Sequence, residues 1–142
     1  MVDKLEKSMS KIADIEGIGP AYAEKLKSAG IDTVEELLEA GASKKGREDI
    51  AAKSEITEKL ILEWVNRADL ARIKGIGSEY ADLLEASGVD SVPELAQRNA
   101  ANLTAKMEEV NAAKSLVRRV PSESEVSGWI DQAKALPKVV TH

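Results

Sequence analysis

Residues 12–37 read IADIEGIGPAYAEKLKSAGIDTVEEL, and residues 70–95 read LARIKGIGSEYADLLEASGVDSVPEL. The two stretches align without a gap at an offset of 58, since Gly75 falls on Gly17 (75 − 17). Gly17/Gly75, Ile18/Ile76, Gly19/Gly77, Tyr22/Tyr80, Leu26/Leu84, Gly30/Gly88, Asp32/Asp90 and Leu37/Leu95 are identical pairs. Self-similarity of this extent points to an internal repeat, and a repeat constrains the fold more than any single motif. The likeness resumes later, where Trp64 matches Trp129 at an offset of 65. The second copy therefore carries about seven extra residues (65 − 58), placed near 113–120. The expected organisation is an N-terminal segment at 1–11, a first repeat at 12–69, a second at 70–136, packed with the first as one domain, and a C-terminal tail at 137–142.

The local grammar predicts helices. Apolar residues recur at spacings of three and four, and β-branched runs are short. Pro20 follows Gly19 and suits a first helical position. Gly30 and Gly88 fit left-handed helix ends. Thr33-Val-Glu-Glu36, Ser91-Val-Pro-Glu94 and Ser122-Glu-Ser-Glu125 have the spacing of helix-opening caps. No breaker interrupts 57–73, which predicts one long helix closing the first repeat and opening the second. The fold class is all-α: two pseudo-repeats joined by a shared long helix. Trp64, Trp129, Tyr22 and Tyr80 lie on apolar stripes and are expected to pack between helices.

Composition narrows the chemistry. The 142 residues are 43% hydrophobic and 32% charged, the balance of a globular chain. No apolar run approaches the roughly 20 residues of a membrane span. The charged N-terminus has no signal-peptide core, so a cytoplasmic protein is expected. There is no cysteine, and the one histidine is His142. Disulfides, thiolate metal sites and cysteine or histidine catalysis are thereby excluded or disfavoured. The carboxylates are spread over helix surfaces rather than clustered. The expectation is a non-enzyme with no metal site, no cofactor and no small-molecule substrate.

Net charge is −5, with 11 basic against 15 acidic residues through Leu70 and 9 against 10 after it. That argues against strong nucleic-acid affinity, which rests on a positive surface. Locally the two turns differ. Lys25 and Lys27 follow Gly17-Ile18-Gly19, although Glu16 sits beside it. Glu79, Asp82 and Glu85 follow Gly75-Ile76-Gly77, with Lys74 as the one nearby cation. Like charges at contact range cost about 1 kcal/mol per pair even in water. The first turn is thus the candidate anion site and the second is expected to be structural. Lys44-Lys45-Gly46-Arg47 and Lys114, Arg118 and Arg119 are further basic groups that could extend a phosphate track.

The two-glycine turns, each between helices, resemble the helix-hairpin-helix family over about 25 residues per copy. The resemblance implies that turn amides at a helix N-terminus contact a DNA backbone phosphate, mostly without reading sequence, and that a monovalent cation can sit at the turn carbonyls. It designates Gly17, Ile18, Gly19, Ala21, Lys25 and Lys27 as nucleic-acid-binding residues and Gly75, Ile76 and Gly77 as a structural counterpart. The whole chain also resembles a family of small bacterial proteins classed as a domain of unknown function. GIGP at 17–20, GRE at 46–48, the junction at 64–85 and the segments at 88–99, 102–111, 116–122 and 129–137 carry that likeness. It implies the same double helical plan and no activity. Two readings stay open. The leading one is weak, salt-sensitive, sequence-independent contact with double-stranded DNA. The alternative is a protein–protein adaptor or scaffold, which the acidic balance favours.

Overall fold

A computed structural model describes residues 11, 12, 15 and 18–141, Ser78 in its backbone alone. The described residues form eight helices and no strand: α1 Pro20–Ser28, α2 Val34–Ala40, α3 Lys44–Ser54, α4 Glu58–Leu70, α5 Ser78–Ala86, α6 Val92–Ala96, α7 Ala100–Lys114 and α8 Glu123–Ala135. The chain is all-α, as its periodicity predicts.

Most of the described helix starts carry a side-chain cap. Thr33 and Ser122 both form complete capping boxes, in which the hydroxyl accepts the amide of the third helical residue and that residue's glutamate reaches back. Ser91 accepts the Glu94 amide at 3.3 Å, but its box stays half made because the Glu94 carboxylate turns to Arg98 at 3.0 Å. Ser43 and Asn99 cap α3 and α7 in the same way. The predicted left-handed turns also appear, with φ of +88° at Gly30 and +96° at Gly88.

The predicted long helix over 57–73 is shorter. Regular α4 stops at Leu70, and the chain then tightens: the Arg72 amide donates to Asp69 at 3.1 Å and the Ile73 amide to Leu70 at 3.1 Å. Arg72 folds back on the buried Asp69 carboxylate, Nε to Oδ1 at 2.8 Å. No proline or glycine forces this break. The core does, because Leu70, Ile73 and Ile76 are all buried in one apolar cluster.

The chain divides into two compact units. One contains residues up to Ala68 together with those from Val139 on, and the other is Asp69–Lys138. The core of the first joins Ile12, Leu26, Leu37, Ile50, Ile61 and Trp64, and it includes Val140 from the far end of the sequence. In this unit α3 packs against α1 and α2. The core of the second joins Leu70, Leu84, Leu95, Met107, Val126 and Trp129, with α8 against α6 and α7, and α5 against α7.

Candidate functional site

The described part of the first turn runs from Ile18 to the start of α1. Gly17 and the neighbouring Glu16 lie outside the described residues. Ile18 is buried, and its amide donates to Ile15 at 3.1 Å, so the side chain plugs the core while the backbone turns. Gly19 then takes an extended conformation, φ −84° and ψ −179°, and precedes α1 with no side chain capping the helix. Pro20 occupies the first helical position, where a missing N–H costs nothing.

This N-terminus is open in three respects. A Cβ placed on Gly19 would meet nothing within 4 Å. Gly19 and Ala21 are exposed. The first turn carries no acidic residue. The amides of the first helical turn have no intrahelical acceptors, and the helix dipole makes that end positive. Lys25 is one turn beyond Ala21 and therefore on the same face. Lys27 is exposed too, but two residues further on it lies roughly 200° round the helix from Lys25. Neither lysine is ion-paired among the described residues. The opposite side is anchored: Leu26 is fully buried, and the half-buried Tyr22 meets Trp64 edge-on with centroids 5.1 Å apart.

The second turn has the same backbone bonds 58 residues on. Ile76 donates to Ile73 at 3.2 Å and Ala81 to Gly77 at 2.9 Å, as Ile18 does to Ile15 at 3.1 Å and Ala23 to Gly19 at 2.9 Å. Ile76 is buried, and Tyr80 lies 5.3 Å from Trp129. Its surroundings are different in kind. The Lys74 amide donates to Gln132 Oε1 at 2.9 Å, and Gln132 Nε2 donates back to the Lys74 carbonyl at 3.2 Å. Gly75 sits at φ +98°, and a Cβ there would come 2.8 Å from the Trp129 Nε1. Glu79 stands in the first turn of α5. This turn is clamped by α8, and a carboxylate stands in the first turn of the helix that follows it.

The other basic groups separate. Lys44 and Lys45 are exposed at the start of α3. Arg47 is not part of any surface strip: it is 4% exposed, and its guanidinium donates to the carbonyls of Gly41 at 2.8 Å, Ala42 at 3.0 Å and Thr141 at 2.6 Å. Lys114 and Arg118 are exposed, whereas Arg119 forms a bidentate pair with Glu125 at 2.8 and 3.0 Å. That pair, with the Ser122 amide, pulls the Glu125 carboxyl down to about 2. Both tryptophans are buried in the cores, Trp64 at 3% and Trp129 at 4%, and so present no face to a ligand.

Sequence reasoning passed over Gln132 and Asn111. Asn111 accepts the Val117 amide at 2.9 Å and donates to the Val117 carbonyl at 3.1 Å, fixing the loop after α7. Gln132 stands one helical turn from Trp129, and that spacing is the one signal that could have tied it to the turn.

Among the described residues no three histidine, cysteine or carboxylate side chains cluster as a metal site would require. No described helix is long and apolar enough to cross a membrane. No solved structure matches the chain. A family model described as a domain of unknown function, DUF4332, matches residues 16–136 of the 142. The match covers both turns and every described helix from α1 to α8, and on that ground the chain belongs to this family.

Proposed function

We propose that the protein is a non-catalytic double-stranded DNA-backbone binder built from two helix-hairpin-helix repeats, of which the first binds and the second supports. The observation that carries this reading is the contrast between the two helix starts. At α1 the first turn is free of acid, its glycine is exposed, and Lys25 stands on the same face. At α5 an acid stands in the first turn, and the preceding backbone is already held by Gln132. A phosphate at Gly19 would gain the dipole, the free amides and a cation. One at Gly77 would meet like charge. Ile18 anchors the first turn, Ala21 offers an amide, and Lys27 adds charge from another face of the helix; Gly17, also assigned to this contact, lies outside the described residues. The recurrence of turn bonds at an offset of 58 supports the repeat assignment.

A few phosphates engaged by a chain of net charge −5 give weak affinity that declines as salt rises. A protein adaptor with purely structural hairpins is the second reading, favoured by that acidic balance. Fluorescence anisotropy of a short labelled duplex at low salt tests the choice. Binding that weakens in Lys25→Glu and not in Glu79→Gln supports the first reading. Equal retention in Lys25→Glu contradicts it.

A further inference from the structure

The strongest unassigned feature is the seat of residues 139–141 on the first unit. The chain leaves α8 in the second unit, and from Val139 it belongs to the first. Val140 is buried at 4% within the first unit's apolar core. The next residue, Thr141, is gripped by its backbone on both sides. Its amide donates to the Ala42 carbonyl at 2.7 Å, and its carbonyl accepts from Arg47 NH2 at 2.6 Å. Its hydroxyl adds a bond to the same Ala42 carbonyl at 3.4 Å.

Arg47 makes this seat unusual. Arg47 as a residue is 4% exposed, and a guanidinium held there needs its donors met, because a buried unpaired charge is severely unfavourable. Gly41 and Ala42, six and five residues away, meet one nitrogen. The other nitrogen donates to Thr141, 94 residues away in sequence. Remove residues 139–141, and the first unit is left with a buried Arg47 donor, an Ala42 carbonyl that keeps Arg47 but loses both Thr141 donors, and a hole the size of a valine. Donor and acceptor together hold both backbone polar groups of one residue, the kind of pairing used when a peptide adds to a sheet edge. The apolar hole supplies selectivity for a β-branched side chain one residue earlier.

We propose that residues 139–141 are a detachable clasp: seated, they complete the first unit, and unseated, they uncover a receptor for an extended peptide of the same pattern. The seat holds one anchor side chain and three hydrogen bonds, so opening it is local rather than global. This inference is independent of the DNA reading.

The test uses amide hydrogen exchange on the 142-residue chain, on the same chain ended at Lys138, and on Val140→Ala. In the shortened chain, protection in α2, α3 and the turn between them should fall by about tenfold or more, as when a core contact is deleted. Protection in α5–α8 should stay unchanged. Val140→Ala should give a smaller loss with the same distribution. A synthetic peptide LPKVVT, the sequence of 136–141, added in excess should restore protection to the shortened chain. Unchanged protection in α2 and α3, equal loss in both units, or a local loss that the peptide does not reverse would each overturn the proposal.

Discussion

Glycine 75 and glycine 77 are two residues apart and do different work. Gly75 is at φ +98°, where an L side chain is strained, and its face is pressed against the buried Trp129 indole. Gly77 is at φ −97° with open space where a Cβ would go. Gly75→Ala should therefore destabilise by about 1–3 kcal/mol, combining backbone strain with overpacking. Gly77→Ala should cost under about 1 kcal/mol, the difference between glycine and alanine at a helix cap. Urea denaturation of the two variants measures both, and similar losses would contradict the assignment of Gly75 as the packed position. The glycines themselves were legible in the sequence, since the offset of 58 exposes them. What separates them was not, because Trp129 and Gln132 lie more than 50 residues away and reach Lys74 and Gly75 through the tertiary fold. Arg47 departs from its sequence neighbourhood for a related reason. It follows two exposed lysines and looks like the third member of a basic strip, yet its acceptors include Thr141, which no local pattern can announce.

Helix ends were the most legible elements, because caps are encoded within four residues. Thr33 and Ser122 cap α2 and α8 through complete boxes. Thr33→Ala should lower stability by about 0.5–2 kcal/mol, read as a shift in the denaturation midpoint with an unchanged slope. The same caps set a pH dependence. Backbone amides of Asp32 and Thr33 hold the Glu36 carboxyl below its ordinary value, and Arg119 with the Ser122 amide holds Glu125 down from 4.5 to about 2. A depressed folded-state value means the stabilisation is present above the unfolded value, and it is lost as pH falls through the folded one. Melting temperature should thus decline from about pH 4.5 toward pH 2. Glu125→Gln should flatten part of that decline, and high salt should reduce the Arg119 contribution because the pair is exposed. A Glu125→Gln profile parallel to that of the parent would contradict the linkage. The end of α4 was illegible by contrast. Nothing local stops a helix at Leu70, and the break answers to the burial of Ile73 and Ile76. α7 has 15 residues and α3 has 11, and a loop pinned by Asn111 follows α7.

At the scale of the molecule, the chain divides between Ala68 and Asp69, within the last turn of α4. The first unit takes its final core residue, Val140, from beyond the second unit, a feature that composition and periodicity do not encode. Charge is distributed so that a net value of −5 coexists with one acid-free, uncapped helix start beside exposed Lys25. The central claim, that this start is a phosphate contact and its counterpart at Gly77 is not, can be read at both places in one experiment. Amide spectra of labelled protein titrated with a short duplex at low salt should show selective shifts at Gly19 and Ala21, and at Gly17 if the contact extends through the turn. Those shifts should vanish as salt is raised, with Gly75 and Gly77 unmoved throughout. Shifts of equal size at both turns, or no shifts at Gly19 and Ala21 under saturating duplex, would contradict the account.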